Sequence, residues 1–297
     1  MKVKRDWKAQ DEKLVRRGMV EFDPQILKNL DKFLKKINRK KEGRPFSYPD
    51  QLIKFIGLIK TKFSMSYRTA NGFLFLFSAF FKIPHFSNIF RRMVKLKLNI
   101  DETIPPSDEP LFLSIDASGL EADHGGSWLK KHYGRKKQKW IKIHFAIDVK
   151  TKRIIDFRVS TDKGSDNKKF RGMVKNISKK RRVGKVAADP GYDDYKNYEI
   201  LGKNKIRCAI KPKNNANPDA ITIRNNVREL YRLKQVLLFQ KYSFKTWKQK
   251  TGYNYRTLSE SVFNSFKSQF GHGVSSKKMH YVRNEITWKV NQYNLNC

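Results

Sequence analysis

The sequence predicts an α/β protein: a mixed β-sheet core flanked by helices, preceded by an all-helical N-terminal region. Three observations carry this. Before about residue 97 the apolar residues recur at spacings of three and four; beyond residue 111 short apolar runs and alternating segments are interleaved with helical stretches. Between the two, LNIDETIPPSDEP (98–110) concentrates proline and acid as an interdomain linker does. The expected division is 1–105, helical region and linker, and 106–297, the sheet-bearing domain. A chain of 297 residues is long enough to bury both cores.

In order, a first helix is expected from about Pro24 to Lys40 on Leu27, Leu30, Phe33, Leu34 and Ile37. GRPFSY (43–48) breaks it, and Pro49 opens a helix from Asp50 to Phe63. A third follows from Tyr67 to Phe81; its run GFLFLFSAFF (72–81) is about half of what a membrane span needs and reads as a buried helix. Ser87 is expected to cap a short helix bearing Arg91 and Arg92. Such a helix-turn-helix-like array would lay those arginines in a DNA groove, although a packing domain with a basic surface fits them equally.

The sheet begins with LFLSI (111–115), a buried strand delivering Asp116 at its end. WIKIHFAIDV (140–149) alternates Ile141, Ile143, Phe145 and Ile147 on one face, and RIIDFRVS (153–160) completes a hairpin with it. A helix over Asp166–Ser178, a strand VGKVAA (183–188) ending in Asp189, a helix from about Tyr192 to Leu201 and a strand over Ile206–Ile210 follow. Lys211 to Asp219 is a loop, residues 224–247 a basic aromatic helical region, and Lys277–Asn294 a closing helix.

Charge narrows the function. Lys and Arg number 65 against 27 Asp and Glu, a net +38 that repels itself unless a polyanion neutralises it, so nucleic acid is the expected partner. The acids are unevenly placed: residues 101–200 hold 15 of them, whereas residues 201–297 hold four against 19 Lys and Arg. An acid-enriched segment in a basic chain suits a metal-dependent enzyme acting on a phosphate backbone better than a basic carrier. Two unpatterned cysteines, Cys208 and Cys297, argue against a disulfide framework or zinc site. With no apolar h-region at the start and no membrane span, the expected location is the cytoplasm, with the nucleoid DNA.

Within the acid-poor end, YNYRTLSESVFNSFK (253–267) places Arg256 four residues before Glu260 and Lys267 seven after it, with Tyr253 a turn earlier. By itself this spacing fits an exposed helix with an i,i+4 ion pair. Two strand-end aspartates change its weight. Neighbouring strands would bring Asp116 and Asp189 together, and a helix across the sheet would present Glu260. Three clustered carboxylates stay ionised only beside a cation, which implies Mg²⁺ or Mn²⁺. A pair of such ions about 3.5–4 Å apart can drive in-line displacement at phosphorus.

The pattern Y-x2-R-x3-E-x6-K at Tyr253, Arg256, Glu260 and Lys267, with IDASGL around Asp116 and ADPGYD around Asp189, resembles the DDE transposases of insertion sequences, in the branch grouped as families four and five. WIKIHFAID resembles the second strand of that family, and RGM (17–19), GRPFSY, YRTANGF and IFRR (89–92) its helical N-terminal region. The resemblance implies a ribonuclease-H-like catalytic domain with two Mg²⁺ ions. It further implies cleavage at transposon ends and strand transfer into target DNA without a covalent enzyme intermediate. Asp116, Asp189 and Glu260 would be the catalytic metal ligands, and Tyr253, Arg256 and Lys267 would contact DNA near the cleaved phosphate. The double-stranded partners would be terminal inverted repeats and target DNA, held by at least a dimer because two ends must meet.

Weaker candidates read as structure. Asp148 reads as a turn residue, Asp193 as a helix cap, and His124 and His132 as part of a hairpin loop. No histidine is placed to serve a hydrolase triad with Ser118. Two rivals remain at this point: a nuclease of the same fold that does not join DNA, and a non-catalytic basic DNA-binding protein.

Overall fold

The computed structural model describes residues 6–8, 11, 12, 15, 25–122, 140–161, 165–218 and 227–297, without the side chains of 227–230. RGM (17–19), His124 and His132 lie outside the described residues. The chain divides into two compact units, one of residues 1–99 with 283–296, the other of residues 100–282 with Cys297. Among the described residues no helix is long and apolar enough to cross a membrane.

The first unit is helical. Two short helices, α1 (Gln25–Lys28) and α2 (Leu30–Asn38), stand where one was expected. They precede α3 (Asp50–Lys62), whose Leu52, Ile53, Phe55, Ile56 and Ile59 form the buried core. Ser66 caps α4 (Tyr67–Leu74), its hydroxyl accepting the Thr69 N–H at 3.0 Å. The expected buried helix through Phe81 is not formed. The helix ends at Leu74, tightens to a 3-10 turn over Phe75–Phe77, and leaves Phe75, Leu76 and Phe80 62%, 74% and 66% exposed. An unbroken apolar run has no preferred face, and a bundle this small can cover only one side of it: Leu74 is buried while Phe73, Phe77 and Phe81 pack at its edge. The next helix, α5 (Phe86–Lys95), is capped by His85 and not by Ser87, because the His85 ring accepts the Ser87 N–H. Trp288 of the C-terminal helix α11 (Met279–Leu295) completes this core.

The second unit is the expected mixed sheet. Its order is β3-β2-β1-β4-β5, from β1 (Leu111–Glu121), β2 (Trp140–Asp148), β3 (Ile154–Thr161), β4 (Val183–Ala188) and β5 (Arg207–Ile210). β1, β2 and β3 pair antiparallel, while β1, β4 and β5 pair parallel, the ribonuclease-H-like arrangement. On one face Leu113, Ile115, Val186, Ala188 and Cys208 pack under α6 (Asp166–Ser178) and α7 (Tyr195–Lys203). On the other, Ala187 and Ala209 meet Trp247 and Tyr253, and Phe145 stacks on Phe263 at 4.8 Å. That second cover comes from α8 (Val227–Lys241), α9 (Phe244–Thr251) and α10 (Leu258–Phe270). Asp148 accepts from Thr151 N and Oγ1, so it is the turn residue expected.

Gly57 of α3 touches the Trp288 ring so closely that a Cβ would overlap it, whereas Gly72 of α4 has open space. Gly57→Ala should therefore lower stability by about 1–3 kcal/mol through overpacking. Gly72→Ala should leave it unchanged or add up to about 1 kcal/mol of helix propensity, both read from chemical denaturation midpoints.

His144 of β2 is fully buried, with Nε2 2.9 Å from Ser160 Oγ and Nδ1 4.0 Å from Asp166. Burial pushes its pKa down from 6.5 to about 4, with Asp166 opposing the shift. Between those values the unfolded chain binds a proton that the folded chain does not. Stability should fall as pH drops from 6.5 through 4, by about 3 kcal/mol in all, and be fully present only above 6.5. His144→Asn should flatten that limb of the stability–pH curve.

Candidate active site

The parallel ladder of β1 and β4 closes with Ile115 beside Ala188, so the next residues, Asp116 and Asp189, stand side by side. β1 does not stop at Asp116, as the sequence suggested; it runs on to Glu121 because β2 pairs with it across that whole length. Asp116 is a strand end only toward β4. Asp189 is held by local geometry: Pro190 starts a 3-10 turn over Pro190–Tyr192, and Asp189 Oδ1 accepts the Gly191 N–H at 2.9 Å.

Asp116 is half-buried, and its carboxyl is pushed above the ordinary carboxylate range, first by burial and also by the charge of Asp189. The Ala117 N–H at 2.8 Å, Ser259 Oγ at 3.0 Å and Arg256 pull the other way. Nearby, the Tyr192 hydroxyl is buried with no hydrogen-bond partner among the described residues. Burial raises its pKa well above 10, and the charges of Asp116, Asp166 and Asp189 add to the rise. An orphaned donor beside two crowded carboxylates marks a place suited to water or a hydrated cation.

The third segment arrives through a reversal. Gly252, at φ 74°, ends α9 in the left-handed region, and Tyr253–Thr257 forms a 3-10 turn leading into α10. Ser114 Oγ donates to the Arg256 carbonyl at 3.2 Å. Ser259 Oγ lies 2.7 Å from that same carbonyl and 3.0 Å from Asp116 Oδ2, so its single proton serves one of them at a time. These bonds dock the start of α10 on β1. Glu260, the next residue, is 56% exposed and ion-paired with Arg256 at 3.0 Å. The i,i+4 reading of this pair is therefore what the structure contains. Among the described residues no three His, Cys, Asp or Glu side chains gather to hold a metal ion.

Tyr253 is 8% exposed, packed on Trp247 at 5.0 Å, and burial raises its pKa, with Asp189 and Asp116 adding to the rise. Lys267 is half-exposed two turns along α10 from Glu260. In the helical unit the two expected arginines diverge. Arg92 is held at 16% exposure by Asp50 at 2.6 Å and the Tyr48 carbonyl, over the Phe46 ring, while Arg91 is exposed.

Sequence reasoning missed Ser259, although a hydroxyl directly before Glu260 was its signal. It also took Asp193 for a helix cap; Asp194 caps α7 instead, accepting the Lys196 N–H. Asp193 is buried and grips Arg232 of α8 at 2.9 and 3.0 Å and the Lys213 N–H at 2.8 Å. Burial would raise its pKa, but these partners outweigh that and hold it below the ordinary value. The clamp fixes the turn that carries Asp189.

The family profile described as Transposase DDE domain matches residues 107–295, and a second profile of the same description matches residues 15–123. A similar solved structure is the cryo-EM synaptic complex of piggyBac transposase with hairpin DNA. It is 12% identical, with 95% of this chain and 73% of that chain covered and a TM-score of 0.44. Since the first profile spans well over half of the sequence, including the paired aspartates and α10, the chain belongs to the transposases of the DDE domain family.

Proposed function

We propose that the chain cuts DNA at transposon ends and joins those ends to target DNA, with Asp116, Asp189 and Glu260 as its catalytic acids. The supporting observation is the placement of Asp116 and Asp189 just beyond the last rung of the β1–β4 ladder, with α10 docked on Asp116 one residue before Glu260. The spacing of Tyr253, Arg256, Glu260 and Lys267 supports the insertion-sequence branch of families four and five.

All three candidate ligands are carboxylates, oxygen donors that suit hard cations, and the burial and the Asp189 charge that raise Asp116 both disfavour its ionised form, which a bound cation would favour. Two Mg²⁺ or Mn²⁺ ions bound here would polarise the attacking oxygen and neutralise charge on the leaving one. The chain's own residues do the rest. Arg256 exchanges Glu260 for a DNA phosphate, gripping it with two hydrogen bonds, which frees the Glu260 carboxylate to turn toward Asp116 and Asp189. Lys267 supplies a point charge to the backbone, and Tyr253 contacts DNA at the wall of the site. An oxygen of water in cleavage, or of a DNA hydroxyl in joining, displaces the ester oxygen in line at phosphorus. The helical region before residue 105, with Arg91 exposed, grips DNA, and a dimer brings two ends together.

With the element's terminal repeats as substrate, Asp116→Asn, Asp189→Asn and Glu260→Gln should each lose Mg²⁺-dependent cleavage by more than about 100-fold, beyond what indirect changes at metal sites cause. DNA binding should survive in all three; unchanged cleavage in any one would remove that residue from the site. Strand transfer from pre-cut ends separates a transposase from a nuclease that cannot join.

Arg256→Gln should bind Mg²⁺ more tightly than wild type when DNA is absent, because Glu260 is no longer paired. The readout is a larger melting-temperature rise at a fixed Mg²⁺ concentration; a smaller or equal rise would mean that the pair does not compete with the metal.

A further inference from the structure

At the end of the parallel strands opposite the carboxylates, β1, β4 and β5 begin around a cleft of about 700 Å³. Five cations line it, Arg181, Arg182, Lys185, Lys205 and Arg207, and none of the described residues lining it is Asp or Glu. Of the five, Arg181 has a carboxylate partner: it reaches Asp101 at 3.7 Å, as the adjacent Lys180 does at 2.7 Å. Arg182, Lys185, Lys205 and Arg207 have no carboxylate partner among the described residues.

The cleft differs from a merely basic surface in three ways. First, Lys185 and Arg207 are direct cross-strand partners in the parallel β4–β5 ladder, a pair of like charges that repel unless something anionic lies over them. Second, Lys185 is half-buried, and its pKa is lowered by burial and then by the Arg207 charge. Its Nζ sits 4.9 Å from the Phe112 ring at the cleft wall. Third, the buried hydroxyl of Ser178, a residue of the cleft lining, has no hydrogen-bond partner among the described residues. Crowded cations, an unused hydroxyl and an aromatic wall together fit a phosphodiester backbone.

We propose that this cleft is a second DNA-backbone site, holding phosphates of a duplex segment other than the one presented to Asp116 and Asp189. The separation supports this: Asp189 is four positions beyond Lys185, about 13 Å along an extended strand, so a phosphate in the cleft is not the one being cut. The inference rests on the reading of the protein as an enzyme of DNA.

The test compares three full-length proteins. One is wild type. One carries Arg182→Gln, Lys185→Gln, Lys205→Gln and Arg207→Gln. The control removes four exposed lysines of the same unit, Lys168→Gln, Lys175→Gln, Lys179→Gln and Lys196→Gln. Binding to a long duplex without metal is measured across a salt series. The cleft variant should flatten the slope of log affinity against log salt by about 2–4, since each lost phosphate contact removes about 0.9. The control should flatten it by less than half as much. Equal slopes for the cleft variant and wild type, or equal flattening in cleft variant and control, would overturn the proposal. Failure of wild type to bind DNA would instead overturn the DNA-enzyme reading.

A second measurement guards against misfolding. Without DNA, the double variant Lys185→Gln, Arg207→Gln should melt at or above the wild-type temperature, because it removes a like-charge pair. A clear drop would show that the two cations serve the fold and would refute a ligand role.

Discussion

The feature on which the sheet-bearing unit depends is the meeting of two carboxylates at the end of a parallel strand pair. Asp116 and Asp189 are adjacent because β1 and β4 run in the same direction and stop pairing at Ile115 and Ala188. Parallel strands cannot be joined by a tight turn, so the chain must cross over, and here β2, β3 and α6 form that crossover. The connection buries one face under helices and leaves the strand ends open. The carboxylates therefore meet at the ends of paired strands, where burial first, and then the charge of Asp189, raises Asp116.

Holding such a pair takes more than the strands. The turn after Asp189 is pinned by Asp193, which gives both oxygens to Arg232 and takes the Lys213 N–H. The reversal at Gly252 and the hydroxyls of Ser114 and Ser259 bring α10 onto Asp116. These contacts join segments more than 140 residues apart, and their polar partners are buried or half-buried, where an unmet hydrogen bond is expensive. The Arg256–Glu260 pair is different in kind: it is exposed at the Glu260 end, so solvent weakens it.

Much of the fold was readable from periodicity. The alternation of Ile141, Ile143, Phe145 and Ile147 corresponds to a strand with those residues buried, and α6 and β4 begin and end where their apolar pattern does. The pattern failed where it carried no direction. Residues 72–81 are apolar on every side, so nothing in them says that Phe75, Leu76 and Phe80 face outward. Cap chemistry misled in the same way at Asp193 and Asp194, since adjacent acids before a helix are interchangeable until a partner such as Arg232 is in place. At the site, the scarcity of acids near Glu260 and the strand-end aspartates were legible, but Ser259 and Tyr192 were not. Their importance lies in where their hydroxyls point.

The sequence by itself determined the α/β class and the basic character of the chain, because periodicity and charge are local properties; the family expectation came from the resemblance of the segments around Asp116, Asp189 and Glu260 to DDE transposases. The sequence also determined which strands carry the aspartates, since apolar runs end where the acids begin. Only the tertiary structure decided that β1 ends at Asp116 toward one neighbour and continues toward the other, and that Arg92 is spent on Asp50 while Arg91 stays exposed. Likewise only the fold set Lys185 beside Arg207, twenty-two positions apart, in a cleft without a lining carboxylate. The physical reason is common to all of these: strand register and burial are settled by partners distant in sequence, and the energy of a charge depends on those partners rather than on its chain neighbours.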